Sequence, residues 1–215
     1  MSKSGIIRTV ACAALTALAT ASAATAPAAA QPKSSTGAAT VGLRAERAPA
    51  GPAVIQNKYR VDVRSGSCLR TFNARTTIAV GDCQALGGPS DSTSMRQWKA
   101  VAQPGGYVQL RSTFKTNDGK GSCLRTFNGI TTTATGSCTA QGGTADFASM
   151  RLWKVVPQAN GYVQLRSKYK IDDGKAPCLR VSANSTGVTT GRCTAQGGPY
   201  DYRSMRLWKS TLFPR

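Results

Sequence analysis

The 215-residue sequence contains no histidine, which removes a whole class of chemistry at the outset. Ser-His-Asp and Cys-His nucleophilic machinery and histidine-ligated metals all need an imidazole. Acids are scarce too, nine Asp and Glu against 28 Lys and Arg. Paired carboxylates for glycoside hydrolysis have only Asp172 and Asp173 as a candidate, and neighbours on a turn point apart rather than across a substrate. No phosphate-cradling glycine loop occurs, and no stretch keeps helical periodicity over two turns. The expectation is a non-enzymatic chain with no cofactor and no metal.

Long apolar runs are missing as well, apart from one inside Met1 to Ala23. That segment has Lys3 and Arg8, then an Ala/Leu/Val run, then Ala21-Ser22-Ala23, the charge, apolar core and small-residue cleavage pattern of a secretory signal peptide over residues 1–23. It is too short to remain as a transmembrane anchor. Lipidation of Cys12 fits less well, since most of the apolar run follows that cysteine. Residues 24–53 are built from Ala, Pro, Thr, Ser and Gly and read as a disordered Ala/Pro-rich linker or a cleaved pro-segment, with too little apolar surface to offset chain entropy.

Export sets how the cysteines are read. Six of the seven lie beyond the signal segment, and outside the cytosol an even number of regularly spaced cysteines most often forms disulfides. Their spacing exposes the organisation of the chain. Cys68-Leu69-Arg70, Cys123-Leu124-Arg125 and Cys178-Leu179-Arg180 recur every 55 residues, as do Cys83, Cys138 and Cys193, and Trp98, Trp153 and Trp208. Of the fifteen connectivities six cysteines permit, a threefold repeat favours Cys68–Cys83, Cys123–Cys138 and Cys178–Cys193. Each bridge would close about 15 residues and contribute about 3 kcal/mol in the chain-entropy picture. Zinc is the rival, disfavoured without histidine or close cysteine pairs.

Within a unit the pattern is all β. Segments such as Tyr107-Val-Gln-Leu-Arg111 and Tyr162-Val-Gln-Leu-Arg166 are bounded by Asn117-Asp-Gly119, Asp173-Gly174 and the pairs Gly87-Gly88, Gly142-Gly143 and Gly197-Gly198. Four strands per unit are expected: Tyr-Val-Gln-Leu, Cys-Leu-Arg, the Thr-rich stretch before the second Cys, and Met-Arg-x-Trp-Lys. A single unit is too small to shelter its own tryptophan comfortably. An open solenoid would expose its ends, and three blades fall short of a propeller. Closure of three units, over 54–108, 109–163 and 164–215, into a pseudo-threefold β-trefoil with the indoles in a common core is the reading that remains.

A Cys-Leu-x segment linked to a Cys beyond a hairpin, then a short Asp/Ser stretch and x-x-Trp, three times over, resembles the ricin B-type lectin family from about Val54 to Arg215. The resemblance implies the trefoil fold and carbohydrate binding. Its Gln-x-Trp signature stands here as Arg96-Gln-Trp98, Arg151-Leu-Trp153 and Arg206-Leu-Trp208. The family's sugar-bonding Asp is replaced by Arg70, Arg125 and Arg180, its stacking aromatic by Gly81, Gly136 and Gly191, and its Asn by Met95, Met150 and Met205. A bound glycan would therefore meet a rebuilt site.

The residues proposed for that site are Arg70, Phe72, Asn73 and Asp91 in the first unit, and Arg125, Phe127, Asn128 and Asp146 in the second. Arg180, Asn184 and Asp201 serve in the third, where Val181-Ser182-Ala183 interrupts the aromatic pattern and Tyr200 and Tyr202 are available as substitutes. A guanidinium fork suits carboxylate, phosphate or sulfate better than a neutral hexose. The competing reading makes the arginines structural. Strand alternation would place Arg96 beside Trp98 with its head on Asp91, and Arg70 and its mates would pair in the same way.

Without Lys3 and Arg8, 26 basic residues face 9 acids, a charge of +17 that favours polyanions. The expected partner is a glycan, an acidic polysaccharide or cell-wall polymer in particular, met by a secreted monomer. Basic segments with aromatics, Arg111-Ser-Thr-Phe-Lys115 and Arg166-Ser-Lys-Tyr-Lys170, would suit single-stranded nucleic acid, but an extracellular setting argues against it. Two alternatives stand: a secreted interaction or inhibitor trefoil, and a binder driven by charge alone.

Overall fold

The computed structural model describes residues 51–88, 90–117, 121–142, 145–198 and 200–213. The expected signal peptide, nearly all of the expected linker, the Asp118-Gly119 turn and Gly143 lie outside the described residues.

Among the described residues, twelve strands and three one-turn helices follow one another in a repeating order. The first unit holds β1 (Gln56–Asn57), α1 (Lys58–Asp62), β2 (Cys68–Phe72), β3 (Arg75–Gly81) and β4 (Trp98–Gln103). The second holds β5 (Tyr107–Ser112), α2 (Thr113–Asn117), β6 (Cys123–Thr126), β7 (Thr133–Gly136) and β8 (Trp153–Pro157). The third holds β9 (Val163–Ser167), α3 (Lys168–Asp172), β10 (Cys178–Val181), β11 (Val188–Gly191) and β12 (Trp208–Lys209).

The four expected strands per unit are present, with one correction. The Met-Arg-x-Trp-Lys segment is not strand throughout. Thr93–Arg96, Ala148–Arg151 and Arg203–Arg206 form 3₁₀ turns, and the strand begins at each tryptophan. The one-turn helices have no signature in the sequence, because five residues are too few for a periodic pattern. The side chains of Asn57 and Ser167 cap α1 and α3, accepting from the Arg60 and Lys170 amides.

Antiparallel pairing runs β4, β5, β8, β9, β12, β1. Ala53 then pairs with Trp98 through two backbone bonds of 2.9 Å, which joins the segment before β1 to β4 and closes a six-stranded barrel. The remaining strands form three hairpins, β2–β3, β6–β7 and β10–β11, attached through β1, β5 and β9. These hairpins also pair with one another, Thr77 with Ala134, Ala79 with Gly187 and Thr132 with Thr189. A closed six-stranded barrel plus a triplet of mutually paired hairpins is the β-trefoil.

The three tryptophans are fully buried in one core cluster with Leu69, Leu124, Leu179, Leu110 and Leu165. Each indole N–H donates to the Leu carbonyl of its own Cys-Leu-Arg segment, Trp98 to Leu69, Trp153 to Leu124 and Trp208 to Leu179, at 2.9 Å in every case. A buried indole needs such an acceptor, so one bond per unit ties the barrel to its hairpin. The disulfides are Cys68–Cys83, Cys123–Cys138 and Cys178–Cys193, as the repeat spacing favours. They fit an oxidising compartment. No helix among the described residues is long and apolar enough to cross a membrane.

Candidate functional site

Each hairpin carries a cluster of two arginines about one aspartate. In the first unit β2 supplies Arg70, the 3₁₀ turn supplies Arg96, and Asp91 comes from the long connection between β3 and β4. Asp91 Oδ1 lies 3.0 Å from Arg70 Nη2 and 2.7 Å from Arg96 Nη2. The second unit repeats this, with Asp146 Oδ1 at 3.0 Å from Arg125 and 2.6 Å from Arg151. In the third, Asp201 meets Arg180 at 3.3 Å and also pairs with Arg206. The other carboxylate oxygen of each aspartate accepts a backbone N–H from within its own loop, Leu86, Gln141 or Gln196, at 2.9 Å.

The two arginines differ in what else they do. Arg96, Arg151 and Arg206 are buried, and each donates through Nε and Nη1 to backbone carbonyls: Arg96 to Asp82 and Ser92, Arg151 to Ser137 and Phe147, Arg206 to Arg192 and Tyr202. They stitch the loop onto the 3₁₀ turn, and a buried charge held in this way has its compensation on site. Strand alternation does not place them there, since they sit in the turn ahead of the strand.

Arg70, Arg125 and Arg180 remain partly open, with side-chain exposures of 16, 14 and 23%. Arg70 lies 4.8 Å from the centre of the Phe72 ring and Arg125 4.6 Å from that of Phe127, within cation–π range. Ser182 holds the equivalent place in the third unit. Beneath the guanidinium stem runs the glycine of the facing strand. A Cβ on Gly81, Gly136 or Gly191 would stand 2.8, 2.7 or 2.5 Å from the Cδ of Arg70, Arg125 or Arg180. The two departures from the lectin pattern are thus one structural change, with the arginine stem occupying the space that glycine leaves open.

Asn73, Asn128 and Asn184 are exposed on the hairpin turns and make no hydrogen bond to the clusters among the described residues. Tyr200 is 63% exposed, while Tyr202 stacks on Tyr59 with ring centres 5.5 Å apart. A cleft of about 380 Å³ opens beside the first cluster, between Arg60, Arg70, Phe72 and Gly81 on one side and Thr186 of the third unit on the other.

The electrostatics follow from this wiring. The Leu86 N–H, then Arg96 and Arg70, hold the Asp91 carboxyl below its ordinary range against the opposing effect of burial. For Asp146 and Asp201 burial is the largest influence and pushes upward. The backbone N–H of Gln141 or Gln196 and the paired arginines together outweigh it, so both carboxyls are lowered. Burial is also the main cause of the lowered Arg125 and Arg180 pKa values.

One repeated feature escaped the sequence reading. Arg60, Lys115 and Lys170, again 55 residues apart, are all buried cations. Lys170 donates to the Phe127 and Ile130 carbonyls at 2.8 and 2.9 Å, and Arg60 to those of Ser182 and Ser185. A cation from one unit thereby caps the hairpin turn of another. The spacing of the three cations was the available signal.

No protein-family model and no curated protein matches the sequence. Solved structures do. A designed threefold-symmetric protein, ThreeFoil, is 20% identical, with 75% of this chain and 98% of that one covered at a TM-score of 0.49. The GlcNAcα1-4Gal-releasing endo-β-galactosidase from Clostridium perfringens is 15% identical over 75% of this chain, at a TM-score of 0.51. This chain spans only 32% of that enzyme. The Haemophilus ducreyi cytolethal distending toxin is 13% identical, with 74% and 81% covered and a TM-score of 0.49. The likeness is one of fold.

Proposed function

We propose that this chain is a secreted, non-enzymatic lectin-like protein that binds acidic groups of glycans or cell-wall polymers on the hairpin shelves of its trefoil. The observation that carries the reading is the charge within each shelf. Two guanidiniums share a single aspartate, so each cluster retains one uncompensated positive charge, and the partly open arginine of the pair is the one within reach of a ligand. In the first two units that arginine is held over a phenylalanine ring, giving an anion site next to an apolar face of the kind a sugar ring covers. The fold likeness to a carbohydrate-active enzyme is consistent with this reading, as are three disulfides with export. Binding without catalysis fits the adjacent pair Asp172 and Asp173, which Lys168 and Lys175 engage at 2.6 and 2.5 Å.

A glycan array probed with the chain at low and physiological salt tests this. Uronate-bearing or sulfated oligosaccharides should be retained over neutral ones at both salt levels. Changing Arg70, Arg125 and Arg180 together to Lys keeps the charge and removes the fork, and should abolish that preference. Unchanged acidic-glycan affinity in a folded triple variant overturns the assignment. An array without hits, alongside inhibition in a protease panel, would move the function to protein recognition.

A further inference from the structure

The outer wall of the barrel carries a second arrangement of cations, built from other residues than the hairpin shelves. Lys99 on β4 stands directly across from Arg111 on β5, and Lys154 on β8 directly across from Arg166 on β9. Their chain neighbours Trp98, Ala100, Leu110, Ser112, Trp153, Leu165 and Ser167 are buried, so strand alternation turns all four cations to the outside. Like charges placed opposite each other weaken a strand pair. The chain does this at two pseudo-equivalent places, and no acid forms an ion pair with any of the four among the described residues.

The two arginines are also held in a fixed pose. Gln109, 8% exposed, donates to the Cys138 carbonyl at 2.9 Å and accepts from Arg111 Nε and Nη2 at 3.2 and 2.7 Å. Gln164, 5% exposed, donates to the Cys193 carbonyl at 3.0 Å and accepts from Arg166 Nε and Nη2 at 3.2 and 2.8 Å. A buried amide anchored beside the Cys123–Cys138 and Cys178–Cys193 disulfides thus fixes one edge of each guanidinium. Nη1 makes no hydrogen bond among the described residues. Fixing an arginine before its ligand arrives lowers the ordering cost of binding. The third position holds Gln56 opposite Lys209, so the device occurs twice rather than three times.

We infer that the Lys99–Arg111 and Lys154–Arg166 pairs are two binding sites for the carboxylate or sulfate groups of one acidic polysaccharide strand. The inference rests on the acidic-glycan reading above and adds a surface on the barrel strands, where Arg111 pairs with Cys123 and Arg166 with Cys178, two residues before the shelf arginines Arg125 and Arg180. Two sites on one rigid barrel let a polymer gain avidity that a short oligosaccharide does not. The choice of polysaccharide over nucleic acid comes from the oxidising compartment that the three disulfides fit, where single-stranded nucleic acid is not the usual ligand.

The test uses the whole chain with dextran sulfate and polygalacturonate as probes, and neutral dextran and polythymidylate as controls. The variant R111Q/R166Q copies the natural glutamine of the third position. R64Q/R203Q removes the same charge from two exposed arginines elsewhere. The first pair should weaken binding of both acidic polymers about tenfold or more, the scale of losing charge-assisted hydrogen bonds, and the second less than about twofold. Circular dichroism of unliganded R111Q/R166Q should show the native fold, its melting temperature set by two opposed effects: like charges are separated, and the buried Gln109 and Gln164 oxygens lose their donors. Equal losses in the two folded variants, or tighter binding to polythymidylate than to dextran sulfate, overturns the inference. Short acidic oligosaccharides separate the two proposals. They should respond to the Arg70/Arg125/Arg180 change and not to R111Q/R166Q. Loss of polymer binding in R111Q/R166Q alone supports the wall while refuting the shelf.

Discussion

At the scale of single residues, Arg125 and Gly136 are two halves of one decision. The Gly136 backbone is not left-handed, so its lack of a side chain is explained by the Arg125 stem running across it. An alanine there would set its methyl 2.7 Å from Arg125 Cδ, which forces the arginine off its place above Phe127 and away from Asp146. Overpacking of this kind costs about 1–3 kcal/mol. G136A should therefore destabilise the chain by that amount in urea, and the penalty should shrink toward zero when R125A is already present, since the clashing stem is gone. Equal penalties in both backgrounds would show that the two positions are independent.

At the scale of elements, α1 and α3 are tied in place by buried cations that act across units, Arg60 and Lys170. Lys170 begins on α3 and ends on two carbonyls in the turn between β6 and β7. Burial lowers its pKa, and the nearby Lys175 lowers it further against the pull of Asp173. K170M would leave the Phe127 and Ile130 carbonyls without their donor at a cost of about 1–3 kcal/mol. K170R should cost much less, because unit one already uses Arg60 at this place. Urea midpoints of the two variants, with the slope checked for constancy, decide it. The same contrast shows what a linear reading reaches. Strand positions, repeat length and disulfide pairing are local or periodic, and they were legible. The cap from Lys170 to Phe127 spans 43 residues, and that from Arg60 to Ser182 spans 122, so no local pattern announces it. The shelf was half legible. The recurrence of Arg70, Asp91 and Arg96 in every unit marked them as a set. That Asp91 bridges both arginines, and that Gly81 makes room for one of them, depends on the 3₁₀ turn and on the facing strand, and neither has a sequence signature of its own.

At the scale of the whole molecule, the three shelves have one sign and share no residue, so their responses to acid should add. Asp91, Asp146 and Asp201 all have carboxyl pKa values below the ordinary 3.8. A carboxyl depressed in the folded state binds protons less readily there than in the unfolded chain. Its stabilisation is complete above the unfolded value and drains away as pH falls through the folded one. The melting temperature should hold level from neutral pH to about 5 and then fall steeply below about 4, where each protonated aspartate leaves two guanidiniums facing each other with no anion between them. Replacing the three aspartates by asparagine should lower the melting temperature at pH 7 and flatten the acid limb, because the groups that titrate there have been removed. Added salt should restore part of the lost stability in acid by screening arginine against arginine. An acid limb of the same steepness in the asparagine variant would locate the acid sensitivity elsewhere, and the shelves would no longer account for how this strongly basic trefoil holds its own charge together.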